Sequence, residues 1–145
     1  MLGYTRLGDP QVIFGTKSGT TYTPATLTAA YTGNTTSAIG VDGAYALSLD
    51  IKYTYGTGET SNKLQMQVEA SPDGTNWFAF PNDSTTDGTS TITTRTFEIA
   101  QADNVIHLNL RELLTQYIRV KVQESGVASN YGTVSIELTR WGSNE

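Results

Sequence analysis

AYALSLDIKYTY at residues 44–55, LQMQVEAS at 64–71 and SPDGTNW at 71–77 decide the fold. In the first run Tyr45, Leu47, Leu49, Ile51, Tyr53 and Tyr55 share one parity, and Ser48, Asp50, Lys52 and Thr54 the other. In the second, Leu64, Met66, Val68 and Ala70 alternate with Gln65, Gln67, Glu69 and Ser71. Successive side chains of a strand point to opposite faces, so each run predicts one dry and one wet face. The Ser71–Trp77 stretch is turn chemistry between strands.

The same alternation returns downstream. Ile118, Val120 and Val122 oppose Arg119, Lys121 and Gln123, and Val134, Ile136 and Leu138 oppose Ser135, Glu137 and Thr139. Strands are predicted over Asn76–Phe80, Thr91–Ala100, Val105–Leu110, Gln116–Glu124 and Gly132–Trp141, with loops at Gly56–Asn62 and Pro81–Gly88. Leu110–Leu114 is the one segment that reads as a helical turn. About eight short strands at this spacing predict an all-β chain, a single antiparallel β-sandwich or jelly-roll-like domain over residues 44–145. Its expected core is Leu47, Leu49, Ile51, Leu64, Met66, Val68, Ile118, Val120, Val122, Val134, Ile136 and Leu138. Residues 1–43 are rich in Gly, Thr and Ser with short apolar pieces, and read as an N-terminal arm or an early hairpin.

Composition narrows the function classes. The chain has 145 residues, a formal net charge of −5 and 16% charged residues, so its polar surface rests on Thr, Ser, Asn and Gln. A diffusely acidic chain repels phosphate, which argues against nucleic acid as a partner. No run approaches a membrane helix, and the first ten residues lack the basic and apolar regions of a signal peptide. There is no cysteine, hence no disulfide and no thiolate metal site.

The single histidine, His107, shares a face with Val105 and Asn109 in VIHLNL, opposite Ile106, Leu108 and Leu110. That places it towards solvent, and one histidine is too few for a His-rich zinc or iron site. Asn82, Asp83, Asp87 and Gly88 carry oxygen ligands without the spacing of a calcium loop. Glu98 and Asp103 are neighbours in sequence only. No nucleophile–base pair, phosphate-cradling glycine pattern or convergent ligand set emerges, so neither catalytic residues nor a cofactor is expected.

Aromatics are the remaining lead, with eight Tyr against four Phe and two Trp. Tyr combines a large apolar ring with a polar tip and suits wet interfaces or sugar platforms. Tyr45, Tyr53 and Tyr55 fall on the dry parity and read as core, and Trp77 as packing over the sandwich mouth. Tyr4, Leu7, Val12, Phe14, Tyr22, Tyr31 and Tyr131 are the candidates for contacts between subunits.

The SPDGTNWF segment, preceded by Val68-Glu69-Ala70, resembles the S-x-D-G-T-x-W hairpin of discoidin-like and related jelly-roll modules. Tyr117-Ile118-Arg119-Val120-Lys121-Val122 is similar to the strand that follows it there. The pair also resembles small virion proteins of tailed bacteriophages, including head-decoration and tail proteins. That resemblance implies a protein made in the host cytoplasm and carried on the virion. Its partners would be further copies of itself, most simply as a homotrimer, and the major capsid protein. The competing expectation is a carbohydrate-binding module with Tyr and Trp platforms.

Overall fold

Where apolar and polar residues alternate, the backbone is extended and the apolar parity faces inward between two sheets. The computed structural model describes residues 3–58, 61–80, 95–102, 104–111, 113–127 and 129–143. Its strands are β1 (Tyr4–Arg6), β2 (Gln11–Phe14), β3 (Thr16–Ser18), β4 (Thr21–Thr23), β5 (Ala25–Thr26), β6 (Ile39–Gly40) and β7 (Ala46–Thr54). They continue as β8 (Lys63–Ser71), β9 (Phe78–Ala79), β10 (Arg95–Ile99), β11 (Asn104–Arg111), β12 (Tyr117–Ser125) and β13 (Thr133–Ser143). Helix is absent among the described residues, and no helix there is long and apolar enough to cross a membrane.

The first sheet runs β11–β7–β13, and its remaining edge is shared by three short strands. β1, β2 and β5 line up in turn along β13, from Tyr4 opposite Ser143 to Thr26 opposite Thr133, with the β3–β4 hairpin looping out between β2 and β5. The second sheet runs β10–β8–β12, with β9 pairing the far end of β8. The free side of β12 is taken by residues 28–40. Glu124 N–H donates to Thr28 O, Val122 N–H to Asn34 O and Thr36 N–H to Val120 O, and β6 completes the edge opposite Tyr117 and Ile118.

Residues 4–26 thus make one edge of the first sheet and residues 28–40 one edge of the second. Leu27 crosses between them, with 1% of its surface exposed. Counting these two edges as strands 1 and 2 and β7, β8, β10, β11, β12 and β13 as 3 to 8, the sheets read 1-8-3-6 and 2-7-4-5. This is the order of an eight-stranded jelly roll. The all-β antiparallel sandwich expected from the alternation is the fold observed. A boundary at residue 43 does not divide it: the early hairpin exists as β3–β4, but around it the segment is built into both sheets.

All twelve expected core residues lie between the sheets with 1% exposure or less. Phe14, Leu27, Ile39 and Val41 from the N-terminal segment join them. Burying one such side chain is worth about 1.5–3 kcal/mol, which offsets part of the cost of ordering an otherwise polar segment, alongside its backbone pairing with both sheets.

Several expectations need correction. Tyr45 and Tyr55 stand at the ends of the β7 run, beyond the cover of the second sheet, and are exposed rather than core. Leu110 and Arg111 finish β11, and Leu113 donates its N–H to Tyr45 O, so no helical turn forms from the described part of 110–114. Trp77 lies half-buried on the outer face of the second sheet. Its ring sits 4.6 Å from the Arg119 guanidinium carbon, and Arg119 Nε in turn donates to Glu69 Oε1 at 2.8 Å. Burial pushes the Glu69 carboxyl up, but the Arg119 and Lys121 contacts outweigh it and hold it below the usual range.

Candidate functional site

One end of the sandwich is shaped by the Ser71–Asn76 turn. Ser71 Oγ accepts from Gly74 N–H at 2.9 Å and donates to Asp73 Oδ1 at 3.0 Å. Asp73 Oδ1 also accepts from Thr75 N–H at 2.9 Å and Asn76 N–H at 2.8 Å, while Oδ2 takes Asn76 Nδ2. Those donors, the Asn76 N–H first, hold the Asp73 carboxyl far below the ordinary carboxylate range. Gly74 sits at φ +77°, which the turn requires and which other residues rarely adopt. The turn therefore enters β9 at a fixed angle and sets Phe78 on the rim.

Beside it, Val41–Ala44, Ala70–Pro72, Phe78 and Leu113–Gln116 enclose a cleft of about 540 Å³. Two large apolar side chains stand open on its border, Phe78 at 60% exposure and Leu114 at 95%. Tyr45, adjoining Leu113 through the backbone, carries the apolar character round to Tyr4, with which it stacks at 5.9 Å between ring centroids. Loops of the jelly roll thus present an apolar rim at one end.

The outer face of the first sheet next to this rim holds a second feature. β7 contributes the small Ala46 and Ser48 between β11 and β13, leaving a trough lined by Tyr4, Ala46, His107, Asn109, Arg111 and Trp141, of about 220 Å³. Trp141 lies over β7 with its indole N–H donated to Ser48 Oγ at 2.9 Å. His107 faces solvent as its parity predicts, with Nδ1 2.6 Å from Asp50 Oδ1.

At the opposite end the core contains an acid. Glu124 falls on the apolar parity of β12 and is fully buried. It accepts the Tyr53 hydroxyl on Oε2 and Gly132 N–H on Oε1 at 2.6 Å. Burial, and then that hydrogen bond, raise the Tyr53 phenol well above its ordinary value. Both oxygens are occupied by the fold, which gives the pair a structural role. Among the described residues no three His, Cys, Asp or Glu side chains gather as metal ligands. Glu98 pairs with Lys63 at 3.0 Å, whereas Asn82, Asp83, Asp87, Gly88 and Asp103 lie outside the described residues.

The interface candidates are scattered by the fold. Tyr4, Leu7 and Tyr22 are exposed. Tyr22 sits on the β3–β4 hairpin, donating its hydroxyl to Glu137 at 3.1 Å under the Lys17 ammonium. Val12, Tyr31 and Tyr131 are half-buried, and Tyr131 borders a polar cleft with Tyr55 and Asn130 at the far end. Phe14 is core, which removes it from the candidates. Sequence reasoning missed Tyr45, Phe78 and Leu114. The signal for Phe78 was present, since it follows the turn directly and shares no long apolar run.

Compared with protein-family models, curated proteins and solved structures, the chain matches none.

Proposed function

We propose that the protein is a virion structural protein that docks on the outside of a tailed-phage capsid and stabilises it, as a decoration or cement protein. The observation that carries this reading is the apolar rim, where Phe78 and Leu114 stand exposed beside a cleft at the loop end of a jelly roll. Exposed apolar side chains gathered at one place mark a contact surface. The resemblance of the Ser71–Phe78 hairpin and the Tyr117–Val122 strand to small virion proteins supplies the partner. Docking needs no chemistry: surface buried against the assembled shell stabilises that state, as any ligand stabilises the form it binds, and repetition over a lattice adds avidity.

A homotrimer matched to three-fold lattice points belongs to the proposal. Its contacts would draw on the exposed side chains of Tyr4, Leu7 and Tyr22 rather than on a swapped arm, because the backbone of the first forty residues is paired within its own sandwich. The test is co-sedimentation with empty tailed-phage heads assembled from the major capsid protein with which the proposal pairs this chain. The expected result is saturable binding at a fixed ratio to the shell protein and a higher melting temperature of the heads. Protein that stays in the supernatant at micromolar concentration overturns the reading.

A further inference from the structure

We infer that the trough on the outer face of the first sheet is a binding site for an acidic saccharide, one pyranose ring carrying a carboxylate. The trough adjoins the rim assigned to capsid docking and shares Tyr4 with its edge, but its test reads sugar binding by the free protein, which capsid docking does not enter.

The trough combines a low floor with aromatic walls. Its floor is low because β7 places Ala46 and Ser48 there, and its walls are long side chains from β11 on one side and Trp141 on the other. The indole N–H is already used on Ser48, so what Trp141 has left for a ligand is ring surface. Tyr4 adds a second ring at the end of the trough, backed by its stack with Tyr45. Aromatic faces in a shallow, open site suit the C–H face of a sugar.

Polar groups converge on the same space. The Asp50 carboxylate can only accept, so it fixes the His107 ring with Nδ1–H towards itself and leaves Nε2 for a ligand hydroxyl. Asn109 and Arg111 follow on the same face of β11, and neither side chain has a partner among the described residues. A guanidinium without a carboxylate partner, in a chain of net charge −5, is a local site for an anion. The carboxylate would take Arg111, the hydroxyls Asn109 and His107 Nε2, and the ring face Trp141 and Tyr4.

Isothermal titration calorimetry on the full chain tests this with methyl glucuronide, methyl galacturonide and N-acetylneuraminic acid, against methyl glucoside, methyl galactoside and acetate. The expected result is saturable binding of at least one acidic sugar, at least about tenfold tighter than the neutral glycosides and acetate. Arg111→Gln should remove that preference, and Trp141→Ala should abolish sugar binding. Because Trp141 also packs on β7, Asn109→Ala serves as a second variant at an exposed position, and it should weaken binding with the melting temperature unchanged. No saturation with any sugar, acetate bound as tightly as the uronides, or a preference that survives Arg111→Gln would each overturn the assignment.

Discussion

The Tyr53 phenol on β7 donates a hydrogen bond to the buried carboxylate of Glu124 on β12, joining the two sheets across the core. The same carboxylate takes the N–H of Gly132, where the chain crosses back to enter β13. A Cβ on Gly132 would stand 2.2 Å from Thr54 O and 2.8 Å from Glu124 Oε2, so only glycine allows this approach. The end of β7, the end of β12 and the entry to β13 are thereby held together by one acid.

Tyr53→Phe should destabilise the fold by about 1–3 kcal/mol, since it leaves a buried carboxylate oxygen without its donor. Urea unfolding measures it. A change under about 0.5 kcal/mol would mean that the hydrogen bond adds nothing to the packing of the ring.

The raised Tyr53 pKa carries a sign. The folded state holds the phenolic proton more tightly than the unfolded chain, so this contribution is fully present below the ordinary tyrosine value near pH 10. It is lost as pH rises beyond that value. Wild-type protein should therefore lose stability above pH 10 more steeply than Tyr53→Phe, and parallel pH profiles would contradict it.

Leu27→Ala should cost about 2–5 kcal/mol, as for a fully buried leucine in a packed core. Leu27 lies where the N-terminal segment passes from one sheet to the other, so its loss should loosen both edges. Amide exchange should show protection falling along residues 4–40, together with the overall loss of stability. A neutral variant would mean that the segment adds little to the sandwich.

The Asp73 turn should make stability depend on pH in acid. Its carboxyl is held below the usual range in the fold, so the stability it contributes is present above the ordinary carboxylate value near pH 4. That contribution is lost progressively as pH falls below that value and through the lower, folded one. Asp73→Asn should flatten the acid limb of a stability–pH profile measured by denaturant. An unchanged limb would show that the four donors to this carboxylate do not discriminate between its charge states.

The long strands were legible because each buries one clean parity, and the twelve Leu, Ile, Val and Met residues expected in the core are all there. The N-terminal edges were not, because their pairing is carried by backbone groups and by a few apolar residues set far apart, such as Phe14, Leu27 and Ile39. Tyr45 and Tyr55 obeyed the alternation but outran the opposing sheet, which no local pattern shows. Leu113 and Leu114 look helical by spacing, yet Leu113 turns into the core and Leu114 out of it. Glu124 was a visible anomaly, an acid on an apolar parity, but its partner lies 71 residues away. The trough gathers side chains from β1, β7, β11 and β13, so only the sheet order brings it together.

Hydrogen–deuterium exchange of the protein bound to heads, compared with the free protein, is the most direct measurement of docking. The account predicts new protection at Val41–Ala44, at Phe78 and at Leu113–Gln116, with Phe78→Ser and Leu114→Ser each weakening attachment without unfolding the sandwich. Attachment that protects only the opposite end, around Tyr55 and Tyr131, or that both serine variants leave intact, would contradict it.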